Sequence, residues 1–185
     1  MGSKGTETRQ RMIDATLSLI ERRGYYGTGL NQVLNESGTP RGSLYFHFPG
    51  GKDALMSATI EQGAELVGAL IDAAEDKDAR TAVTRVLRAL GDRLESSGWQ
   101  SGCPVATVAL EVAGTNDAVQ AACSAAYRRW TEALRVRLEA DGRHENPGDL
   151  AVAVLALIEG ALLLARTHRS REPLEQAKRT LRTLL

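Results

Sequence analysis

Apolar residues recur at three- and four-residue spacings along almost the whole chain, which is a helical rhythm. In the first segment Ile13, Leu17 and Ile20 share a face, with Met12 and Thr16 beside it and Arg9, Arg11, Glu21 and Arg22 mostly off it. Gly24 follows where a glycine would end that helix. A short helix is predicted over 29–37, with Thr28 as its N-cap and Leu30, Val33 and Leu34 turned inward, and Gly38 ends it. Thr39 and Pro40 restart the chain as cap and first helical residue of a third helix that runs to about Phe46. Pro49, Gly50 and Gly51 punctuate, and a long helix follows over 52–75. The acidic run Glu75-Asp76-Lys77-Asp78 reads as a turn. A fifth helix, ending at Ser97, carries the stripe Val83, Val86, Leu87, Leu90 and Leu94. Gly102-Cys103-Pro104 starts a short apolar helix that ends at Gly114, and Thr115 or Asn116 caps a helix to Ala140. Asn146 and Pro147 open the next, to His168, and Pro173 opens the last, to Leu184. No segment alternates with period two, and no Asn-Gly or Asp-Gly hairpin signal sits between strands. The prediction is an all-α chain of nine helices.

The second and third helices, joined by the tight turn Ser37-Gly38-Thr39-Pro40, form a helix-turn-helix pattern. In such a unit the first residues of the second helix meet base edges in the major groove. Arg41 can bond guanine O6 and N7 together, Gly42 lets the backbone approach closely, and Ser43 donates or accepts. Tyr45, His47 and Lys52 bring donors suited to phosphate oxygens, and Thr28 stands at a helix N-terminus, itself favourable to anions. From spacing alone a structural helix pair is an equally good reading, because short helix pairs occur in many bundles.

Composition narrows the class. The 185 residues are 43% hydrophobic and 25% charged, enough for one ordinary domain or a small domain fused to a larger one, and too apolar for disorder. Two cysteines, Cys103 and Cys123, exclude a disulfide-dense scaffold, and their spacing is wrong for structural zinc. Net charge is zero, but residues 1–55 hold seven Lys/Arg against five Asp/Glu, a local excess of +2. No nucleophile elbow, zinc-protease helix, phosphate loop or dinucleotide fingerprint is present, so no enzyme activity, cofactor or metal is expected. The first apolar run is broken by Asp14, Thr16 and Ser18, unlike a signal peptide. The apolar run over 150–165 is short of a membrane span and carries Glu159. A cytoplasmic protein without a membrane partner is expected.

Three strings, Gly24-Tyr25-Tyr26-Gly27-Thr28-Gly29, Ser37 through Phe48 with Pro40-Arg41-Gly42-Ser43-Leu44-Tyr45-Phe46-His47 at its centre, and Lys52-Asp53-Ala54-Leu55, resemble the N-terminal domain of the tetracycline-repressor (TetR) family over roughly residues 8–55. The resemblance implies a nine-helix homodimer, a palindromic double-stranded DNA operator, and a small-molecule effector pocket in the C-terminal domain. It divides the chain into a DNA-binding domain over 1–50 and a ligand-binding and dimerisation domain over 51–185. Its DNA-contacting positions are Thr28, Thr39, Arg41, Gly42, Ser43, Tyr45, His47 and Lys52. Gly29 stands where Ser or Thr is usual, and Pro40 replaces a common Ser or Thr, so two hydroxyl contacts are absent. Pro49-Gly50-Gly51-Lys52, Gly102-Cys103-Pro104-Val105-Ala106 and Ala109-Leu110-Glu111 resemble the LmrA/YxaF branch, which implies a drug or flavonoid-like aromatic effector.

Effector-facing positions are expected at Leu66, Leu70, Leu90, Trp99, Cys103, Val105, Val108, Glu111, Tyr127 and Trp130. Taken singly, each aromatic is an ordinary core filler; together they suit a flat ligand. Cys103 is read as a small buried residue, with a redox role as the minority alternative at its helix start. Two readings stand for Glu111, pairing with an arginine or bonding a ligand hydroxyl. The helix opened by Pro147 is apolar nearly all round, so it needs cover on several sides. The expected answer is a two-fold four-helix bundle through Leu150, Val154, Leu157, Ile158, Ala161, Leu162, Leu174 and Leu181. The competing class is a helical small-molecule-binding dimer that does not bind DNA.

Overall fold

A computed structural model describes residues 3–72 and 78–185. All regular structure among the described residues is helical: α1 (Ser3–Arg23), α2 (Leu30–Ser37), α3 (Arg41–His47), α4 (Gly51–Asp72), α5 (Ala79–Ser96), α6 (Pro104–Val112), α7 (Asp117–Asp141), α8 (Pro147–His168) and α9 (Glu172–Leu184). The nine expected helices are therefore present. Glu75, Asp76 and Lys77 of the expected acidic turn lie outside the described residues. Asp78 caps α5, where its carboxylate accepts the Arg80 N–H at 3.1 Å and the Thr81 hydroxyl at 2.9 Å.

One compact unit comprises Met1–Gly63 and Pro104–Ala126. Its core holds Met12, Ile13 and Leu19 of α1, Val33 and Leu34 of α2, Leu44 of α3, Phe48 just past it, and Leu55 of α4. The α2–α3 turn closes through Gly38 at φ +62°, a conformation that costs a side chain energy. Thr39 N–H then bonds back to Leu34 O at 3.1 Å, satisfying a carbonyl at the end of α2.

Two expected caps are corrected. Gly29, not Thr28, is the N-cap of α2, because the Thr28 hydroxyl turns back to donate to Gly24 O at 2.7 Å and is completely buried. Pro40, not Thr39, is the N-cap of α3, while the buried Thr39 hydroxyl shares a 2.6 Å hydrogen bond with Ser37. In both cases a buried hydroxyl finds a nearer partner than the helix end. Asn116 does cap α7, its Oδ1 accepting the Val119 N–H at 3.1 Å.

The other unit comprises Ala64–Cys103 and Tyr127–Leu185. Val83, Val86, Leu87 and Leu94 of α5 are buried in it, and Leu90 is half-buried. Arg171, at the α8–α9 junction, donates to Asp92 at 2.7 Å, to Glu95 at 3.1 Å and to Arg88 O at 3.3 Å, pinning that junction to α5. The 22 residues of α8 exceed the apolar run read from sequence, and by length and composition alone this helix is long and apolar enough to cross a membrane. Its Ala151, Val154, Ile158, Ala161, Leu162 and Ala165 are nevertheless buried in the unit it shares with α5 and α9.

Candidate nucleic-acid interface

The period of α3 sorts its seven residues into an anchor and a face. Leu44 and Phe48 are buried in the core of the first unit. Arg41, Gly42, Tyr45 and Phe46 point outward as one continuous strip, with Ser43 and His47 half-buried at its margins. The two anchors fix the rotation of the helix, so the strip cannot turn away without exposing Leu44. The His47 ring meets Phe46 edge-on at 4.9 Å, and its buried Nδ1 has no hydrogen-bond partner.

Lys52 opens α4 beside this strip. Its Nζ lies 4.2 Å from the centre of the Tyr25 ring. Burial holds its ammonium below the usual lysine value, and the nearby Asp53 and Glu111 carboxylates oppose that shift. Tyr25 is itself fixed, because its hydroxyl donates to Asp53 Oδ1 at 2.5 Å. Burial first, then that acceptor, push the phenol up to about 12. Arg41, Gly42, Ser43, Tyr45, His47 and Lys52 are thus gathered in one unit. Thr28 and Thr39 belong to the same unit but are buried, their hydroxyls bonded to Gly24 O and to Ser37.

One residue of the face, Phe46, and one beside the α2–α3 turn, Arg11, were not singled out in the sequence. Phe46 is 73% exposed, although the same helical period that buries Leu44 and Phe48 turns it outward with Tyr45. An apolar ring without a donor suits a thymine methyl better than a phosphate. Arg11 reaches the α2–α3 turn, where its Nη1 would lie 4.0 Å from a Cβ at Gly38. The repeat of α1 placed Arg11 off the core face without indicating which turn it meets.

The expected effector positions do not fall in one unit. Val105 and Val108 are fully buried in the first. Glu111 is there too, and its carboxylate accepts the Tyr26 backbone N–H at 2.9 Å. The second unit holds Leu66, Leu70, Leu90, Trp99, Cys103, Tyr127 and Trp130. Trp130 is 1% exposed, donates its indole N–H to Ala64 O at 2.9 Å, and meets Tyr127 edge-on at 5.5 Å. Its polar group is spent on the protein, so core filling explains it. Trp99 holds φ +66°, an uncommon left-handed conformation for a bulky residue. Cys103 is buried and hydrogen-bonded to Glu159. Leu70 is half-buried, and Leu66 is exposed.

The expected dimer positions divide by their burial within the single chain. Val154, Ile158, Ala161, Leu162, Leu174 and Leu181 are buried within the chain itself, because α8 and α9 pack these faces against each other and α5. Leu150 and Leu157 are half-buried. The apolar strip left outside on α8 is Val152, Ala153, Ala156, Gly160, Leu163 and Leu164.

Comparison with known proteins identifies relatives over nearly the whole chain. A family model described as bacterial regulatory proteins, tetR family, matches residues 12–59. A second, described as transcriptional regulator LmrA/YxaF-like, C-terminal domain, matches residues 79–180. An uncharacterised HTH-type transcriptional regulator of Mycobacterium tuberculosis is 36% identical, over 96% of this chain and 93% of that protein. The HTH-type transcriptional regulator LmrA of Bacillus subtilis is 34% identical, over 91% of each. The crystal structure of the reduced form of Escherichia coli NemR superimposes with a TM-score of 0.82 at 26% identity, covering 95% of each chain.

Proposed function

The chain belongs to the tetR family of bacterial regulatory proteins, with an LmrA/YxaF-like C-terminal domain, and we propose that it is a homodimeric cytoplasmic repressor that reads a palindromic operator and is released by a small aromatic or lipophilic effector. Members of this family are DNA-binding transcription regulators rather than enzymes. The observation that carries the reading is the outward strip of α3, Arg41, Gly42, Tyr45 and Phe46, locked in rotation by Leu44 and Phe48. Arg41 reads a guanine, Gly42 and Ser43 lie against the groove floor, and Tyr45, His47 and Lys52 hold phosphates.

A two-fold dimer presents two copies of α3 to successive major grooves, about 34–36 Å apart. The exposed strip of α8 supports that dimer: Ala153, Ala156 and Gly160 are small enough for two helices to approach closely, and Val152, Leu163 and Leu164 supply apolar area. DNA reading is assigned to residues 1–50, and effector binding and dimerisation to 51–185. The effector binds better to a state in which the two α3 helices no longer match successive grooves. A difference of about 1–3 kcal/mol between the states is enough to release the operator. Helix α4, which starts beside the DNA face at Lys52, is the lever.

The test is fluorescence anisotropy of the purified protein on DNA flanking its own gene, against a scrambled duplex at fixed near-physiological salt, repeated with a panel of planar aromatics. Tight binding confined to the flanking duplex and relieved by one of the compounds is expected. Equal, weak binding to both duplexes would instead leave a helical small-molecule-binding dimer with an idle DNA-reading unit.

A further inference from the structure

The turn between α1 and α2 is fastened by residues more than eighty positions downstream. Gly24 ends α1 at φ +69°, and the space a side chain would need is filled by the Glu111 carboxylate, with which a Cβ would collide. That carboxylate accepts the Tyr26 N–H at 2.9 Å. The Tyr26 hydroxyl donates to Thr115 Oγ1 at 3.0 Å. Asn116 Nδ2 donates to the Tyr25 hydroxyl at 3.3 Å, and that hydroxyl donates in turn to Asp53 Oδ1 at 2.5 Å. Asp53 lies in the first turn of α4, and Asn116 is the cap of α7. One phenol therefore joins the starts of two long helices, and its ring carries the ammonium of Lys52.

We propose that the Tyr25–Tyr26 turn is a polar latch that couples DNA occupancy of the α3 face to the α6–α7 turn. This rests on the DNA-reading function proposed above and names a route for its regulation. Hydrogen bonds weaken steeply with distance and angle, so the Asn116–Tyr25–Asp53 chain is either engaged or broken. A phosphate drawn to Lys52 fixes the start of α4 and with it Asp53, which favours the engaged arrangement. By linkage, whatever displaces Asn116 at the head of α7 weakens the placement of Lys52 by the same free energy. Tyr25 and Asn116 act here as positioning residues, without touching DNA. Glu111, expected from sequence to face a ligand or pair with an arginine, belongs to this latch.

The experiment uses the full chain and a duplex enriched by it from a random-sequence pool. Hydrogen–deuterium exchange is followed over residues 111–119 with and without that duplex. In the wild type, exchange there is expected to slow by about fivefold on DNA binding, the lower end of ordinary coupling. Tyr25→Phe keeps the ring under Lys52 but lacks the hydroxyl; it is expected to bind the duplex and lose the slowing. Asn116→Asp keeps the acceptor that caps α7 but loses the amide donor, and the same loss is expected, so the test stands if one variant fails to fold. A wild-type segment indifferent to DNA, or slowing retained in a folded, DNA-bound variant, overturns the latch. If no duplex is enriched by the wild-type chain, the DNA-reading function fails, and the latch with it.

Discussion

At the scale of single residues, Gly42 and Arg41 are neighbours on one strip, yet only the substitution of Gly42 is expected to change the stability of the fold. A Cβ at Gly42 meets nothing within 4 Å, so nothing inside the subunit requires a glycine there. Gly42→Ala is expected to stabilise the fold by about 0.5–1 kcal/mol, the usual helix difference. It is also expected to weaken operator binding, because the added methyl stands between helix and groove floor; unchanged affinity in a titration would remove Gly42 from the interface. Arg41→Ala leaves stability alone and is expected to cost about 1–3 kcal/mol of binding while relaxing preference at one base pair per half-site. Lys52→Ala weakens all duplexes alike and lowers the salt slope by about one per subunit. If Arg41→Ala and Lys52→Ala gave the same uniform loss across a panel of duplexes, the division between base and phosphate contacts would be wrong. Thr28 is a contrast, because its buried hydroxyl is spent on Gly24 O. Thr28→Val is expected to cost about 1 kcal/mol in denaturant unfolding and to leave the salt slope unchanged.

At the scale of elements, the carboxyl of half-buried Glu159 gives α8 a pH dependence. Burial raises its pKa above the usual carboxylate range, and the hydrogen bond to Cys103 opposes the shift. The folded chain therefore holds this proton more tightly than the unfolded chain. The stability it contributes is complete below the unfolded carboxylate value and is lost as pH rises through the raised folded value. Glu159→Gln is expected to raise Tm above the wild type at pH 7.5, with the gap closing towards pH 4; a gap independent of pH would acquit the charge. Elements were the part of the fold most legible in sequence, because the long helices repeat their apolar positions over several turns and glycines and prolines punctuate the short ones. Caps were less legible. Whether Thr28 serves α2 or bends back to Gly24 depends on tertiary burial, which the local string does not contain. Least legible was the fastening of Tyr26 to Glu111, 85 residues away, for which no period or motif gives a signal. The outward strip of α3 was legible except at Phe46, which periodicity places but composition alone does not mark as functional. In α8, an apolar surface nearly all round predicts cover on several sides without saying which side is covered by α5 and α9.

At the scale of the whole molecule, the proposed function makes that division of α8 decide how tightly an operator is held. Two reading units joined through one interface bind a palindrome with the second half-site event made intramolecular, a gain of about 10²–10⁴ over a single unit. Leu163 and Leu164 are 60% and 50% exposed in the single chain, so replacing both with glutamate disturbs little inside it. Leu163→Glu with Leu164→Glu is expected to sediment as a monomer and to keep its helical signal. Its affinity for a single half-site duplex should be unchanged, while its affinity for the full palindrome falls to the half-site value. Ile158 lies on the opposite, buried side at 5% exposure. Ile158→Ala is expected to cost about 2–5 kcal/mol of stability, as core truncations do, while the protein that remains folded still dimerises. The pair of variants separates the two faces of one helix: the first removes assembly without the fold, the second removes fold without assembly. A double glutamate variant that stays dimeric and holds the palindrome at wild-type affinity would move the dimer surface off α8, and with it the account of how two copies of α3 are spaced for successive grooves.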